Sequence, residues 1–394
     1  MVLSTILGVL ALLSLVLLLW QWFVGCRFPL HSRTQLPPAR DALPAVTLLK
    51  PLKGCDFATE DCLRSWFAQQ YSGPVQILLG VASDDDPVCS IVRRLLGESP
   101  FLDAQLVVCG PPVGANSKVS KLLALERLAK HDIVIVSDAD VRVPPDFLAS
   151  FVEPLAEQHA PRHEAFPKCG LVNCFYHLAN PSTPAMQLEA IAINADFWSS
   201  VLQARSLKPL DFALGAVMGT RCRQLAEIGG FGGLVDCLAD DYQLGHRLAG
   251  RGYRIELSPL VVECWSEPMG WAAVWKHQLR WARTIRICQP APYFFSILSN
   301  VTLWPLLWLA VNPSRSVLAF ALGCWLLRIA TALHLQGRLT RSWSHLAWGW
   351  LAPVKDLLQA VLWLVSFLGN TVEWRGQRMR LGTDGTLERT DAAR

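Results

Sequence analysis

Charge is scarce in this chain. Asp, Glu, Lys and Arg make up only 17% of its 394 residues, against 52% hydrophobic residues, and no charged side chain occurs from residue 3 to residue 24. The length alone would hold two soluble domains, but this composition is shifted toward lipid. The net charge is +4, and the basic residues neither gather on one segment nor alternate with aromatics, which argues against a nucleic-acid partner. Cys-x-x-Cys pairs are also missing. Twelve cysteines are scattered from Cys26 to Cys324, a pattern that indicates neither a zinc knuckle nor a disulfide framework and fits a reducing compartment. Gly229-Gly-Phe-Gly-Gly233 is followed by no Gly-Lys-Ser/Thr, so it is not a Walker-type phosphate loop.

The uncharged stretch near the start is long enough to cross about 30 Å of hydrocarbon as a helix. A cleaved signal peptide would carry a basic leader, a shorter apolar core and a small-residue cleavage site. Residues 1–26 therefore read as an uncleaved anchor. Arg27, Arg33, Arg40, Lys50 and Lys53 follow it while no charged side chain precedes it, and the positive-inside rule then places the next domain in the cytoplasm. Apolar character returns beyond Ile285. Residues 293–311 and 317–335, joined by Asn312-Pro-Ser-Arg-Ser316, predict a transmembrane hairpin over 293–335, with Arg328 toward one end and able to reach headgroups. Residues 345–369 are interrupted by Pro353, Lys355 and Asp356. A full span there would carry Arg375, Arg378 and Arg380 outward, against the positive-inside tendency. The expectation is a broken, re-entrant or interfacial pair of short helices, followed by a cytoplasmic tail over 370–394.

Residues 42–285 read as an α/β domain. Val46-Thr-Leu-Leu49, Val75-Gln-Ile-Leu-Leu-Gly-Val81, Ala104-Gln-Leu-Val-Val-Cys109 and Ile133-Val-Ile-Val136 are short apolar runs rich in β-branched residues, separated by helical patterns such as 118–130. Strands alternating with helices imply parallel pairing, and ligands of such sheets collect at the carboxyl ends of strands. Ser83-Asp-Asp-Asp-Pro87 follows one strand and Asp138-Ala-Asp140 another, so both clusters belong to one edge. Residues 153–184, rich in Pro, His and Asn, predict a solvent-exposed connection. His159, His163 and His177 near Cys169 and Cys174 match no common zinc spacing. Residues 187–207 look helical.

Two carboxylates at the end of a buried strand repel each other unless a cation or hydrogen-bond donors sit between them. Asp138-Ala-Asp140 is therefore the foremost ligand candidate, joined by Leu238-Ala-Asp-Asp-Tyr242 and by His277-Gln-Leu-Arg-Trp281 just before the second membrane region. A sugar nucleotide would use all of them. Mg2+ or Mn2+ held by Asp138 or Asp140 suits phosphate oxygens and neutralises a leaving diphosphate. Asp241 would take the proton of an acceptor alcohol, and displacement from the face opposite the leaving group would invert the anomeric centre. Arg280 would bind the diphosphate and Trp281 would line the sugar or acceptor pocket. Each cluster also has an ordinary reading: a solvated turn at Asp84, Asp85 and Asp86, a helix start at Asp240-Asp241, and an interfacial belt of Trp271, Trp275 and Trp281 with a snorkelling Arg280. Their order along the chain favours the functional one.

Leu48-Leu-Lys-Pro-Leu-Lys-Gly54, Asp85-Asp86-Pro87, Gly114-Ala-Asn-Ser-Lys118, Asp138 with Val141-Arg-Val143, Asp240-Asp241-Tyr242, Arg280-Trp281 and Trp374-Arg-Gly376 together resemble the ceramide glucosyltransferases, inverting membrane glycosyltransferases of family-2-like type. The resemblance implies an α/β, GT-A-like nucleotide-diphospho-sugar transferase sandwich with a mixed, mostly parallel sheet, plus N- and C-terminal transmembrane helices. It implies a UDP-sugar donor, with Asp86, Asp138 and Asp241 as the three family aspartates and with Lys50, Lys118 and Arg280 also on the donor. His277 stands where the family signature has Gln or Arg, and the helix around Phe197 lacks the histidine of the animal enzymes. In these respects the chain is similar to the bacterial branch associated with hopanoid biosynthesis, which implies transfer of an N-acetylhexosamine to a hopanoid polyol at a bacterial inner membrane. A polysaccharide synthase is a second enzyme reading, although the apolar segments are few for a product channel. A membrane scaffold that merely binds nucleotide is the non-enzyme one.

Overall fold

The computed structural model describes residues 1–33, 43–156, 167–374, 377–382 and 385–389; Arg40, His159, His163, Arg375 and Gly376 lie outside the described residues. Helix α1 (Val2–Arg27) leads into β1 (Val46–Pro51), α2 (Thr59–Phe67), β2 (Val75–Val81), α3 (Val88–Glu98), β3 (Asp103–Val108), α4 (Ser117–Glu126), β4 (Ile133–Ser137), β5 (Val141–Arg142) and α5 (Phe147–Val152). Then come β6 (Cys169–Leu178), α6 (Pro184–Ile191), a π-helical turn (Ala192–Phe197), α7 (Trp198–Arg205), β7 (Val217–Arg221), α8 (Cys222–Glu227), α9 (Asp240–Gly250) and β8 (Arg254–Cys264). The remainder is α10 (Trp271–Cys288), α11 (Pro290–Phe295), α12 (Leu303–Val311), α13 (Arg315–Thr340), α14 (Leu351–Ser366) and a hairpin-like run of β9 (Thr371–Trp374), β10 (Gln377–Leu381) and β11 (Leu387–Arg389).

The main sheet has the order β3-β2-β1-β4-β7-β6-β8-β5. The four strands foreseen from the apolar runs form its parallel half, because each is returned to the same edge by a helix. Beyond β4 the sheet is mixed, with β7 antiparallel to both β4 and β6, β6 parallel to β8, and β5 antiparallel to β8. Apolar layers cover both faces, one built on Val46, Leu48, Trp66 and Phe151, the other on Leu49, Val134, Phe175 and Trp198.

Strand β6 corrects the expectation of an exposed connection over residues 153–184. Its Asn173 is fully buried and donates from Nδ2 to the Glu256 carbonyl at 2.9 Å, so a polar residue that disguises the strand in sequence is satisfied by its neighbour. The expectation of a tail over 370–394 is corrected too. Val372, Met379, Leu381 and Leu387 form a small apolar core with Leu238, and β11 is tied to the main domain by Leu387 N donating to Asp236 O at 2.6 Å.

Among the described residues, α1 and α13, each 26 residues long, are long and apolar enough to cross a membrane. The first arm of the foreseen hairpin is not straight: Pro290–Ser299 and Leu303–Val311 meet at 54°. Asn300 makes the break, its Oδ1 accepting from Leu303 N at 2.9 Å and its Nδ2 donating to Asp356 O at 2.7 Å. Helix α14 has 16 residues, about 24 Å at 1.5 Å per residue, less than the hydrocarbon thickness.

Arg328 does not reach out to headgroups. It lies near the middle of α13, 3% exposed, and its guanidinium bonds Asp356 through Nε and Nη2 at 2.9 Å each and Asp196 through Nη2 at 2.8 Å. Lys355 completes the cluster at 2.5 Å from Asp196. Two cations and two carboxylates cancel, which is how ionisable groups persist where water is excluded. Asp196 belongs to the π-helical turn, so this cluster fastens the sheet domain to α13 and α14. Arg328→Met should destabilise the protein by about 3–5 kcal/mol, because it strands buried carboxylates; an unchanged melting temperature in detergent would refute the coupling.

Candidate active site

The carboxyl ends of β1, β2 and β4 meet the N-termini of α4 and α9. Asn116 caps α4, its Oδ1 accepting from Lys118 N at 3.0 Å and Val119 N at 3.1 Å. Its Nδ2 donates to Cys237 O at 2.8 Å, which pins α4 to the segment ahead of α9. The approach is close: a Cβ on Gly114 would meet Val235 O at 2.6 Å. Lys118 is thereby aimed into the hollow, where its Nζ lies 2.8 Å from Asp138 Oδ1 and 3.1 Å from Asp240 Oδ2. Burial would push this ammonium down, but the two carboxylates override it and hold its pKa well above the usual lysine value. A group bound more tightly to its proton in the fold contributes stability throughout the neutral range and loses it only at strongly alkaline pH.

The cation demanded by the acidic clusters is thus, in part, Lys118 itself. Asp240, buried at 7% exposure, is the partner that sequence reasoning passed over in favour of Asp241. Asp241 points elsewhere: its Oδ1 accepts from Tyr242 N at 2.8 Å, and Gly215 leaves room for its other oxygen, which a Cβ there would meet at 2.7 Å. Desolvation, then the neighbouring Asp240, push the Asp241 carboxyl up to about 6. Asp140 shows solvent at the rim of the hollow while protein crowds it from below; desolvation, then Asp138, push it up to about 6 as well. Tyr176, at the end of β6, is held far above the usual phenol range by burial, with Cys264, Asp241, Asp138 and Asp140 adding negative potential.

Lys50 does not reach into the hollow. It is fully buried beneath it, donating to Ser137 Oγ at 3.1 Å and to the Asp138 carbonyl at 2.5 Å, with its Nζ 5.5 Å from the centre of the Trp66 ring. Burial lowers its pKa to about 8. It supports the turn that presents Asp138. Asp86 is also occupied locally: Gly54 N donates to its two oxygens at 2.9 and 3.1 Å, and Val88 N at 3.1 Å. Gly54 has φ +68°, a conformation that favours glycine, so Asp86 shapes the loop after β1. Asp84 pairs with Arg93. Asp86, Asp138 and Asp241 therefore share one sheet edge, but only Asp138 and Asp240 share Lys118.

Helix α10 carries the last predicted pair. Trp281 packs against His277, with ring centres 4.8 Å apart, and against Phe197 at 6.2 Å; Phe197 in turn meets Tyr176 at 5.6 Å. Arg280, about 100° round the helix from Trp281, lines a cavity of about 160 Å3 with Lys276, Arg283, Glu373 and Arg378 against the small C-terminal sheet. The alternating apolar positions of that sheet were the signal that could have placed it at the site.

Asp138 and Asp140 fit a divalent metal. Among the described residues no group of three His, Cys, Asp or Glu side chains gathers into a ready cage, and one oxygen of Asp138 is engaged by Lys118. Two crowded carboxylates, one with a raised pKa, have the chemistry of a donor pair for a hard divalent ion that would take its other ligands from phosphates and water. Lys118→Met should leave Asp138 and Asp240 facing each other unpaired and cost about 3–5 kcal/mol; wild-type stability in a denaturant titration would show that the bridge is not a structural requirement.

The architecture is shared with a mannosyltransferase from Pyrobaculum calidifontis solved with GDP-Man and Mn2+, at 20% identity and a TM-score of 0.51 over 92% of this chain and 98% of that one. In sequence the chain is 31% identical over 119 residues to ceramide glucosyltransferase 1 of Caenorhabditis elegans and 25% identical over 234 residues to ceramide glucosyltransferase 3 of the same organism. These matches cover 30% and 59% of this chain and span 25% and 48% of those relatives. The family model described as glycosyl transferase family 21 matches residues 6–387, a range that takes in most of α1, the Lys118 cluster, α10 and β9–β10; the chain belongs to that family.

Proposed function

We propose that the chain moves a hexose or N-acetylhexosamine from a UDP-sugar to a hydroxyl of a membrane lipid, a ceramide or a hopanoid polyol, with inversion. The carrying observation is the distance in sequence between two environments: Phe197 belongs to the aromatic row that runs from Tyr176 to Trp281, and the adjacent Asp196 pairs with Arg328 and Lys355 of the membrane-region helices. Two adjacent residues thus link the aromatic row to the apolar bundle. The ceramide glucosyltransferase relatives support a lipid acceptor, and the GDP-Man and Mn2+ of the solved neighbour support a nucleotide-sugar donor with a divalent ion. In this reading residues 42–285 face the cytoplasm, and α1 and α13 hold them at the bilayer.

Asp138 and Asp140 would hold Mg2+ or Mn2+, whose charge, when bound, neutralises the departing diphosphate. Lys118 holds Asp138 in place from behind. Arg280 offers a planar set of donors to phosphate oxygens. Asp241, with a pKa pushed up to about 6, is ionised at neutral pH yet basic enough to accept the acceptor hydroxyl proton as the new bond forms. Trp281 and Phe197 supply an apolar wall along which a lipid alcohol reaches Asp241.

Purified protein in detergent should release UDP only when a divalent metal and a lipid acceptor are both present, with mass spectrometry showing a hexose or N-acetylhexosamine increment on the lipid. Asp241→Asn should abolish turnover and leave UDP-sugar binding largely intact; retained turnover removes Asp241 from the base role. The wild-type rate should fall with decreasing pH through an apparent pKa of about 6, as Asp241 and Asp140 take up protons; a flat profile down to pH 5 contradicts this assignment.

A further inference from the structure

Glu189 is a buried acid with no place in the chemistry above. It lies on α6, its side chain 1% exposed, and it faces α10. One oxygen, Oε1, is shared by His277 Nδ1 at 2.6 Å and Gln278 Nε2 at 2.9 Å. The other, Oε2, is buried with no hydrogen-bond partner among the described residues. Taking a carboxylate out of water with half its acceptor capacity unused is unfavourable. Helix-to-helix packing alone would be served at lower cost by an apolar side chain or a glutamine.

What the carboxylate does locally is set an imidazole. With Nδ1 engaged by Glu189, the His277 ring is fixed in rotation and its Nε2 is the nitrogen left for a further partner, on a side chain that is 29% exposed. The same ring backs Trp281 at 4.8 Å, and Trp281 continues through Phe197 to Tyr176. Gln278, 8% exposed and bonded to the same oxygen, locks the rotation of α10 about its own axis. A single buried oxygen thus determines where two consecutive residues of α10 stand, one turn ahead of Arg280 and Trp281.

We propose that Glu189 is a positioning residue for the transfer: through His277 it sets the imidazole and the Trp281 ring that receive the polar end of the acceptor lipid. This rests on the lipid-acceptor reading above and adds to it a hydrogen-bonding contact, His277 Nε2, for an acceptor hydroxyl. Glu189 itself touches neither substrate.

Glu189→Gln keeps the shape and can still accept from Gln278, but it removes the charge that orders the imidazole. The variant should raise the acceptor KM or lower kcat by about tenfold to a hundredfold, the range set by a lost charge-assisted hydrogen bond, while the Kd for UDP-sugar and the melting temperature stay at wild-type values. Glu189→Gln with His277→Gln should be no worse than either alone, since both act through one contact. Equal losses for donor and acceptor, or strictly additive losses, would reduce Glu189 to a packing residue and overturn the proposal. An activity-independent arm uses protein labelled with 15N-histidine. A downfield imidazole N–H signal, assigned by its loss in His277→Gln, should move upfield in Glu189→Gln; an unmoved signal overturns the proposal even if no lipid is ever glycosylated. Wild-type protein that transfers sugar to no lipid while the imidazole signal does move would instead sink the acceptor reading and leave the Glu189–His277 coupling standing.

Discussion

The ammonium of Lys118, held between Asp138 and Asp240, is the interaction on which the site depends. It joins the end of β4 to the start of α9 through the first turn of α4, and these elements are far apart in the chain. Like charges gathered at a sheet edge would force the elements apart. A cation carried on a helix capped by Asn116, which itself bonds Cys237, makes their approach favourable. The tight contact of Gly114 with Val235 and the docking of the C-terminal sheet on Leu238 follow from the same closure.

Two charge clusters in the molecule differ in their balance, and the difference separates their roles. Around Arg328, two cations face two carboxylates with most donors engaged, which suits a structural joint in a water-poor bundle. In the hollow, Asp138 and Asp240 hold Lys118, Asp140 and Asp241 lie nearby without a pairing of their own to it, and Lys50 is turned away underneath. Burial first, and then that surplus of negative charge, raise the pKa of Asp140 and Asp241 to about 6, and a bound cation would relieve the surplus. An unbalanced cluster open to solvent is built for a ligand; a balanced, buried one is built to hold. The π-helical turn Ala192–Phe197 stands between them, with Asp196 in the second cluster and Phe197 in the aromatic row that leads to the first.

Several features hid from sequence reasoning for identifiable reasons. Strand β6 carries Asn173 and His177 inside a buried strand, and the Glu256 carbonyl on β8 together with the Leu214 N–H makes Asn173 acceptable there. Arg328 reads as a residue near a membrane boundary because its partners, Asp196 and Asp356, are remote in sequence. Lys50 sits in the motif most specific to the family resemblance, yet its side chain points under the turn rather than into the hollow, a matter of which face of β1 its residue occupies. Asp240 and Asp241 are indistinguishable as letters; one turns to Lys118, the other into the space left by Gly215.

By itself the sequence determined the parallel half of the sheet, the two long apolar helices and the acidic clusters at strand ends, since these depend on periodicity, length and local charge, which are properties of neighbouring residues. Only the tertiary structure decided which carboxylate meets which cation, that the C-terminal strands pack on Leu238 beside α9, and that Glu189 engages His277. Those outcomes depend on side chains brought within about 3 Å across long stretches of chain, where hydrogen bonding and desolvation, both steep functions of distance and burial, choose among chemically equivalent residues.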